Sequence, residues 1–133
     1  MIYLDSSALL KLLVEESESA ALAGWLSERA SIPAISSELA RLEVIRAARR
    51  LDPVVVPAAR TLMSQIDLLP LGGEIMMAAA EVGGPDLRTL DAIHLASALA
   101  VRDDLSAFVA YNRRLIVAAT GAGLEVERPG VHA

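Results

Sequence analysis

Ile2-Tyr3-Leu4-Asp5-Ser6-Ser7 opens the chain with a short apolar run cut off by an acid and two hydroxyls, after which Leu9, Leu10, Leu12 and Leu13 recur at helical spacing. Three apolar residues ended by polar turn-formers read as a strand, and leucines three and four apart read as one face of a helix. The opening is therefore strand, turn, helix. The helix is predicted over Ser6–Glu16, with Asp5 at its N-cap position.

The same grammar repeats along the chain. Leu22, Trp25 and Leu26 predict a second helix over Ser17–Arg29, and Ile32–Ile35 a short strand or extended segment. Ser36 or Ser37 caps the next helix, which runs through Leu39, Leu42 and Ile45 to about Arg50; Asp52-Pro53 breaks it before another helix ending near Asp67. Leu68–Leu71 is a strand, and Gly72-Gly73 precedes a Met- and Ala-rich helix that Gly83-Gly84-Pro85 stops. Thr89–Asp103 is a helix apolar almost all round from Ala92 to Val101, as a buried helix is. Ser106–Ala110 reads as a buried strand, Arg113–Ala122 as a helix closed by Gly121 or Gly123, and Leu124–Val126 as a final strand.

Strands alternating with helices imply an α/β fold with a mostly parallel sheet, because each parallel crossover needs a returning helix. At 133 residues, 54% of them hydrophobic, the chain suits one domain over residues 1–133 with a core of its own. It has no cysteine, which excludes disulfide scaffolds, thiolate zinc sites and cysteine nucleophiles. Asp5 interrupts the N-terminal apolar run and no basic residue precedes it, so no signal peptide is expected; no apolar stretch is long enough to span a bilayer. The expectation is a cytoplasmic protein that does not engage membranes. A net charge of −5 excludes a protein that coats nucleic acid with a broad basic surface, though not one that brings RNA to a local cation.

In parallel sheets ligands collect outside the carboxyl ends of the strands, so Asp5 stands where chemistry is expected. Its ordinary reading is an N-cap, and position alone leaves the two readings level. Ser6 and Ser7 read first as cap residues; beside the acid, either hydroxyl is also placed for a phosphate oxygen or a metal-held water. Glu43 lies mid-helix, where an exposed pair with Arg46 is the ordinary explanation, but its neighbours Leu39, Leu42 and Ala47 turn it partly toward the core. Asp91 begins the most apolar helix, where an acid complements the helix dipole. His94 follows three residues later and reads as a packed core histidine, outside the site.

Each acid is a weak signal, and the set in order is the stronger one. Ile2-Tyr3-Leu4-Asp5-Ser6-Ser7-Ala8-Leu9, Ser37-Glu38-Leu39-Ala40-Arg41-Leu42-Glu43-Val44-Ile45-Arg46-Ala47 and Leu90-Asp91-Ala92-Ile93-His94-Leu95-Ala96-Ser97-Ala98 resemble the PIN-domain family. More narrowly they resemble the VapC-like ribonuclease toxins of type II toxin-antitoxin pairs. The likeness covers nearly the whole chain, and Leu-Asp-Ala-Ile-His-Leu-Ala is its most specific part. It implies a three-layer α/β/α fold, and Asp5, Glu43 and Asp91 as catalytic acids holding Mg²⁺ or Mn²⁺. It further implies RNA hydrolysis by a metal-activated water, a homodimer, and a cognate VapB-like antitoxin that blocks the cleft.

One motif departs from that pattern. Where such toxins usually carry a Thr-Tyr-Asp-like triplet, this chain has Ala110-Tyr111-Asn112. Asn112 offers a carbonyl oxygen but no charge, so the expectation is one firmly held cation and a weak second. Oxygen ligands alone favour Mg²⁺ or Mn²⁺ over Zn²⁺, and products with 5′-phosphate and 3′-hydroxyl ends follow. Ser6 and Arg113 are the substrate-binding candidates, with Arg114 and Lys11 beside them. Tyr3, Trp25, Phe108 and Tyr111 are the only aromatic residues, too few for an extended base-stacking platform. The rival reading is a PIN-fold protein that has lost turnover and acts by binding its antitoxin. A phosphoaspartate phosphatase is disfavoured by Ser7 where a second acid belongs, and a zinc hydrolase by the supply of only His94 and His132.

Overall fold

The computed structural model describes residues 1–131. Its strands are β1 (Ile2–Leu4), β2 (Ala34–Ser37), β3 (Asp67–Leu69), β4 (Ala107–Val109) and β5 (Val126–Glu127). They form one sheet in the order β3-β2-β1-β4-β5, with every pairing parallel. The helices are α1 (Ser6–Lys11), α2 (Ser19–Ser27), α3 (Glu38–Leu51), α4 (Val56–Ser64), α5 (Gly73–Ala79), α6 (Thr89–Ala100) and α7 (Arg113–Gly121), with 3₁₀ turns at Pro53–Val55 and Arg102–Asp104. The expected α/β class with a parallel sheet is the one observed.

Strand alternation divides the core in two. Ile2 and Leu4 of β1 and Val109 of β4 face Ala8, Leu9, Leu22, Val44, Ala48 and Met63. Tyr3, between them in sequence, faces the other way with Phe108, Leu95, Ala98, Leu115 and Ala119. The register pairs Tyr3 with Phe108, and their rings stack with centroids 5.2 Å apart. The result is three layers, with α6 and α7 covering one face of the sheet and α1, α3 and α4 the other. As expected, α6 is buried from Ala92 through Ala98.

Several boundaries differ from the sequence reading. The first helix ends at Lys11, well short of Glu16, because the Ser19 hydroxyl accepts from the Glu16 amide and donates to the Val14 carbonyl, folding that stretch into turns. β2 lies two residues later than expected: Ser36 is fully buried and donates to the Leu4 carbonyl at 2.6 Å, while Ser37 ends the strand and caps α3. β5 begins at Val126, after Gly123 turns the chain with φ of 91°. Among the described residues no helix is long and apolar enough to cross a membrane.

β1 is central, and the chain leaves it toward β2 on one side and, after β3, returns to build β4 on the other. The connections diverge between β1 and β4, which opens a crevice at the carboxyl ends of those strands. Leu95 is fully buried against the sheet and Leu42 is 58% exposed on α3. Leu95→Ala is expected to cost about 2–5 kcal/mol in urea unfolding, and Leu42→Ala to stay within about 0.5 kcal/mol.

Candidate active site

Asp5 follows β1 directly and is 3% exposed. It caps α1: its Oδ1 accepts from the Ala8 amide at 2.9 Å and from the Ser7 hydroxyl at 2.6 Å. Ser7 in turn accepts from the Tyr111 amide at 3.1 Å, tying the end of β1 to the end of β4. Both donors go to Oδ1, and among the described residues none goes to Oδ2. The N-cap and the site reading therefore coexist, one oxygen for each.

Asp91, half-buried in the first turn of α6, accepts at Oδ2 from the Asn112 side-chain amide at 3.3 Å. Asn112 is exposed and caps α7, its Oδ1 accepting from the Arg114 and Leu115 amides. Glu43 on α3 accepts at Oε1 from Ser6 Oγ at 2.5 Å and lies 2.6 Å from His94 Nε2. His94 is 2% exposed, and its Nδ1 lies 2.7 Å from the Tyr3 hydroxyl.

These groups feel one another. Burial pushes the Asp5 carboxyl above its ordinary range, the Ser7 hydroxyl, His94 and the Ala8 amide pull back, and the Asp91 charge adds to the rise. Burial likewise raises Asp91, with His94 opposing and Glu43 reinforcing. Asp5 and Asp91 thus lie within electrostatic reach of each other, and Asp91 within reach of Glu43; Asn112 is bonded to Asp91 and Ser6 to Glu43. Among the described residues, no three acidic or histidine side chains close into a ready-built metal cage.

The other candidate side chains have these surroundings. Glu43 forms no pair with Arg46; His94, a packed core histidine as expected, takes that place and is hydrogen-bonded to Tyr3 and Glu43. Lys11 is not a free cation, since it is buried, paired with Glu16 at 3.2 Å and Glu18 at 3.4 Å, and seated 4.7 Å from the Tyr111 ring centroid. Arg113 is exposed and lines a separate hollow of about 430 Å³ with Asp86, Leu87 and Arg114. His132 lies outside the described residues.

A second groove of about 430 Å³ is lined by Ser6 and Glu43, by Leu10, Leu39, Leu42 and Leu90, and by Arg46 and Arg50. Arg46 and Arg50 adjoin a smaller hollow shared with Arg49, and among the described residues none of the three is in an ion pair. The sequence reading missed this basic edge. Its signal was the spacing of 43, 46 and 50, which places acid and arginines on one helix face.

A buried Asp5 at the switch point of a parallel sheet, with half-buried Asp91 and Glu43 on neighbouring helices, defines an α/β domain with an acidic site. The chain belongs to the PIN domain family, whose model matches residues 2–120. Over 132 residues, 98% of each chain, it is 42% identical to the ribonuclease VapC35 of Mycobacterium tuberculosis. Two solved structures share the fold. VapC20 of Mycobacterium tuberculosis, described as a sarcin-ricin loop cleaving toxin, aligns with a TM-score of 0.74 at 14% identity, covering 97% of this chain and 100% of that one. A toxin-antitoxin complex from Klebsiella pneumoniae aligns with a TM-score of 0.71 at 21% identity, covering 97% and 98%.

The raised carboxyls make stability depend on pH. A carboxyl whose folded pKa lies above its unfolded value holds its proton more tightly when folded, so its contribution is present at low pH and lost as pH rises through the folded value. Without added metal, thermal melts are expected to show stability falling as pH rises above the ordinary aspartate value of 3.8. Asp5→Asn, which keeps an acceptor for Ala8, flattens that fall and raises the neutral-pH melting temperature; a steeper fall would contradict the burial effect.

Proposed function

We propose that this protein is a divalent-metal-dependent ribonuclease toxin that hydrolyses phosphodiester bonds in RNA and is held in check by a VapB-like antitoxin. The carrying observation is the pair Asp5 and Asp91, two carboxyls raised by burial and by neighbouring negative charge where strands β1 and β4 diverge. Such a pair is at an electrostatic disadvantage that a hard cation relieves. Its 42% identity to a named ribonuclease over 98% of the chain supports RNA as the substrate.

The donor set fits Mg²⁺ or Mn²⁺. Both ions take oxygen ligands, and Mg²⁺ is commonly held by one or two carboxylates while keeping several waters, so a complete protein cage is unnecessary. Asp5, with Oδ2 unclaimed, and Asp91 would hold it, and Glu43 would complete the set through Oε2, since Oε1 is engaged. The chemistry such an ion supplies is neutralisation of charge on the phosphoryl oxygens and a lowered pKa for the attacking water.

The chain's own residues orient and bind. Ser7 and Ala8 fix the Asp5 carboxylate, and the Asn112 amide steers Asp91. Ser6, at the groove wall, would meet a substrate phosphate by turning its hydroxyl proton from Glu43 to a phosphate oxygen. Arg46 and Arg50 extend the groove with positive charge, while Arg113 and Arg114, next to Asn112 in sequence, offer theirs from the separate hollow. Arginine suits this because its planar fork matches phosphate oxygens.

Exposed Leu42, Met76, Met77 and Leu90 offer apolar surface for a second copy of the chain or for the antitoxin. The whole chain serves as one PIN-like domain, acting in the cytoplasm. The non-catalytic reading draws on Asn112, whose carbonyl is spent on the α7 cap and whose amide is spent on Asp91, leaving no charge for a second cation.

Purified protein with Mn²⁺ and structured RNA is expected to cleave. Chelation and Asp5→Ala should each lower the rate by at least about 100-fold, on the scale of losing a group that stabilises transition-state charge; intact RNA in every lane, with tight antitoxin binding, would establish the non-catalytic reading. Asn112→Asp keeps the cap oxygen and adds a charge, so calorimetry should show tighter Mn²⁺ binding; unchanged affinity and stoichiometry would contradict the cation account. Arg46→Ala with Arg50→Ala is expected to weaken RNA binding and reduce the salt slope by about 1.4–1.8, the value for two lost phosphate contacts.

A further inference from the structure

Tyr3, His94 and Glu43 form a hydrogen-bonded line from the middle of the sheet to the groove. The Tyr3 hydroxyl lies 2.7 Å from His94 Nδ1, and His94 Nε2 lies 2.6 Å from Glu43 Oε1. Ser6 Oγ closes the outer end, 2.5 Å from the same carboxylate oxygen and 3.1 Å from the same ring nitrogen. Tyr3 is fully buried and His94 nearly so, while Glu43 is half-buried and lines the groove.

At Glu43 the protons have one consistent arrangement. A phenol keeps its proton at neutral pH, since even in water it ionises only at about pH 10. Where that proton is donated to Nδ1, the ring proton stands on Nε2, facing Glu43; where the ring is charged, Nε2 carries a proton as well. The opposite neutral tautomer would set a nitrogen lone pair against a carboxylate oxygen at 2.6 Å.

We propose that Tyr3 and His94 are positioning residues that hold Glu43 by Oε1, so that Oε2 alone is offered to cation and substrate. This rests on the metal-dependent reading above. Placement supports it: Tyr3 lies two residues before Asp5 on β1, and His94 three residues after Asp91 on α6. The line therefore ties the strand carrying one acid and the helix carrying another to the third acid on α3. If the requirement were only to fill space, leucine-sized apolar groups would do so without desolvating a phenol, an imidazole and a carboxylate.

The test compares His94→Leu, His94→Gln and Tyr3→Phe with wild type by thermal melting, Mn²⁺ calorimetry, and kcat and KM on RNA. Removing an outer-shell partner typically costs 10–100-fold in metal affinity, and His94→Leu is expected to lose about that much, with kcat falling and KM changing little. His94→Gln, whose amide can donate where Nε2 stands, should recover most of the loss. Tyr3→Phe should melt near wild type and lose affinity in the same direction, by less; it decides the matter if His94→Leu does not fold. Folded variants that bind Mn²⁺ as wild type does, or a glutamine no better than leucine, would overturn the positioning role alone. A wild type that neither binds Mn²⁺ nor cleaves RNA would overturn the metal-nuclease reading and this inference with it.

Discussion

Asp5 stands at the carboxyl end of the central strand with its side chain almost out of water, and its donors satisfy only one of its two oxygens. A buried carboxylate is stable there only if it is neutralised, hydrogen-bonded or matched by a cation. The surrounding structure does the second in part and leaves scope for the third. The Ser7 hydroxyl that donates to Asp5 also takes the Tyr111 amide, so this partial solution stitches β1 to β4 at the point where their connections diverge.

The same economy recurs at the other acids. Asp91 and Glu43 each have donors on one named oxygen, and those donors come from different elements: Asn112 from the start of α7, Ser6 from α1, His94 from α6. The crevice is thus assembled from pieces the sheet topology brings together. The donors also exact a rigid arrangement, because a half-satisfied polar network in a low-dielectric setting is costly to disturb. The two-faced core supports this, with Tyr3 stacked on Phe108 holding the sheet side of the His94 line in place.

Much of the fold was legible because β1, β4 and α6 obey local rules. Ile2–Leu4 and Ala107–Val109 are apolar runs between turn-formers, and α6 is apolar nearly all round. The misread boundaries fell where side chains overrule the backbone pattern. Ser36 and Ser37 both stood as cap candidates; Ser37 is the cap, and Ser36 is a strand residue bonded across to Leu4. The turns after Lys11 depend on Ser19, which periodicity does not report. At the site, the acids stood out as residue types in order, but the partners of Glu43 did not. A histidine inside an apolar helix gives no local sign that a tyrosine 91 positions away and a glutamate 51 away will bracket it. Likewise Lys11 reads as a surface charge until two glutamates and a tyrosine ring close over it.

For a PIN domain with asparagine at position 112, the account places the cation-holding capacity on two raised aspartates and one steered glutamate. The most direct measurement is a crystal structure of the protein soaked in Mn²⁺, with the metal located by its anomalous signal. The account predicts a single strong peak between the Asp5 and Asp91 carboxylates, within reach of Glu43 Oε2. A fully soaked crystal with no peak in the crevice, or with manganese bound only elsewhere, would contradict it.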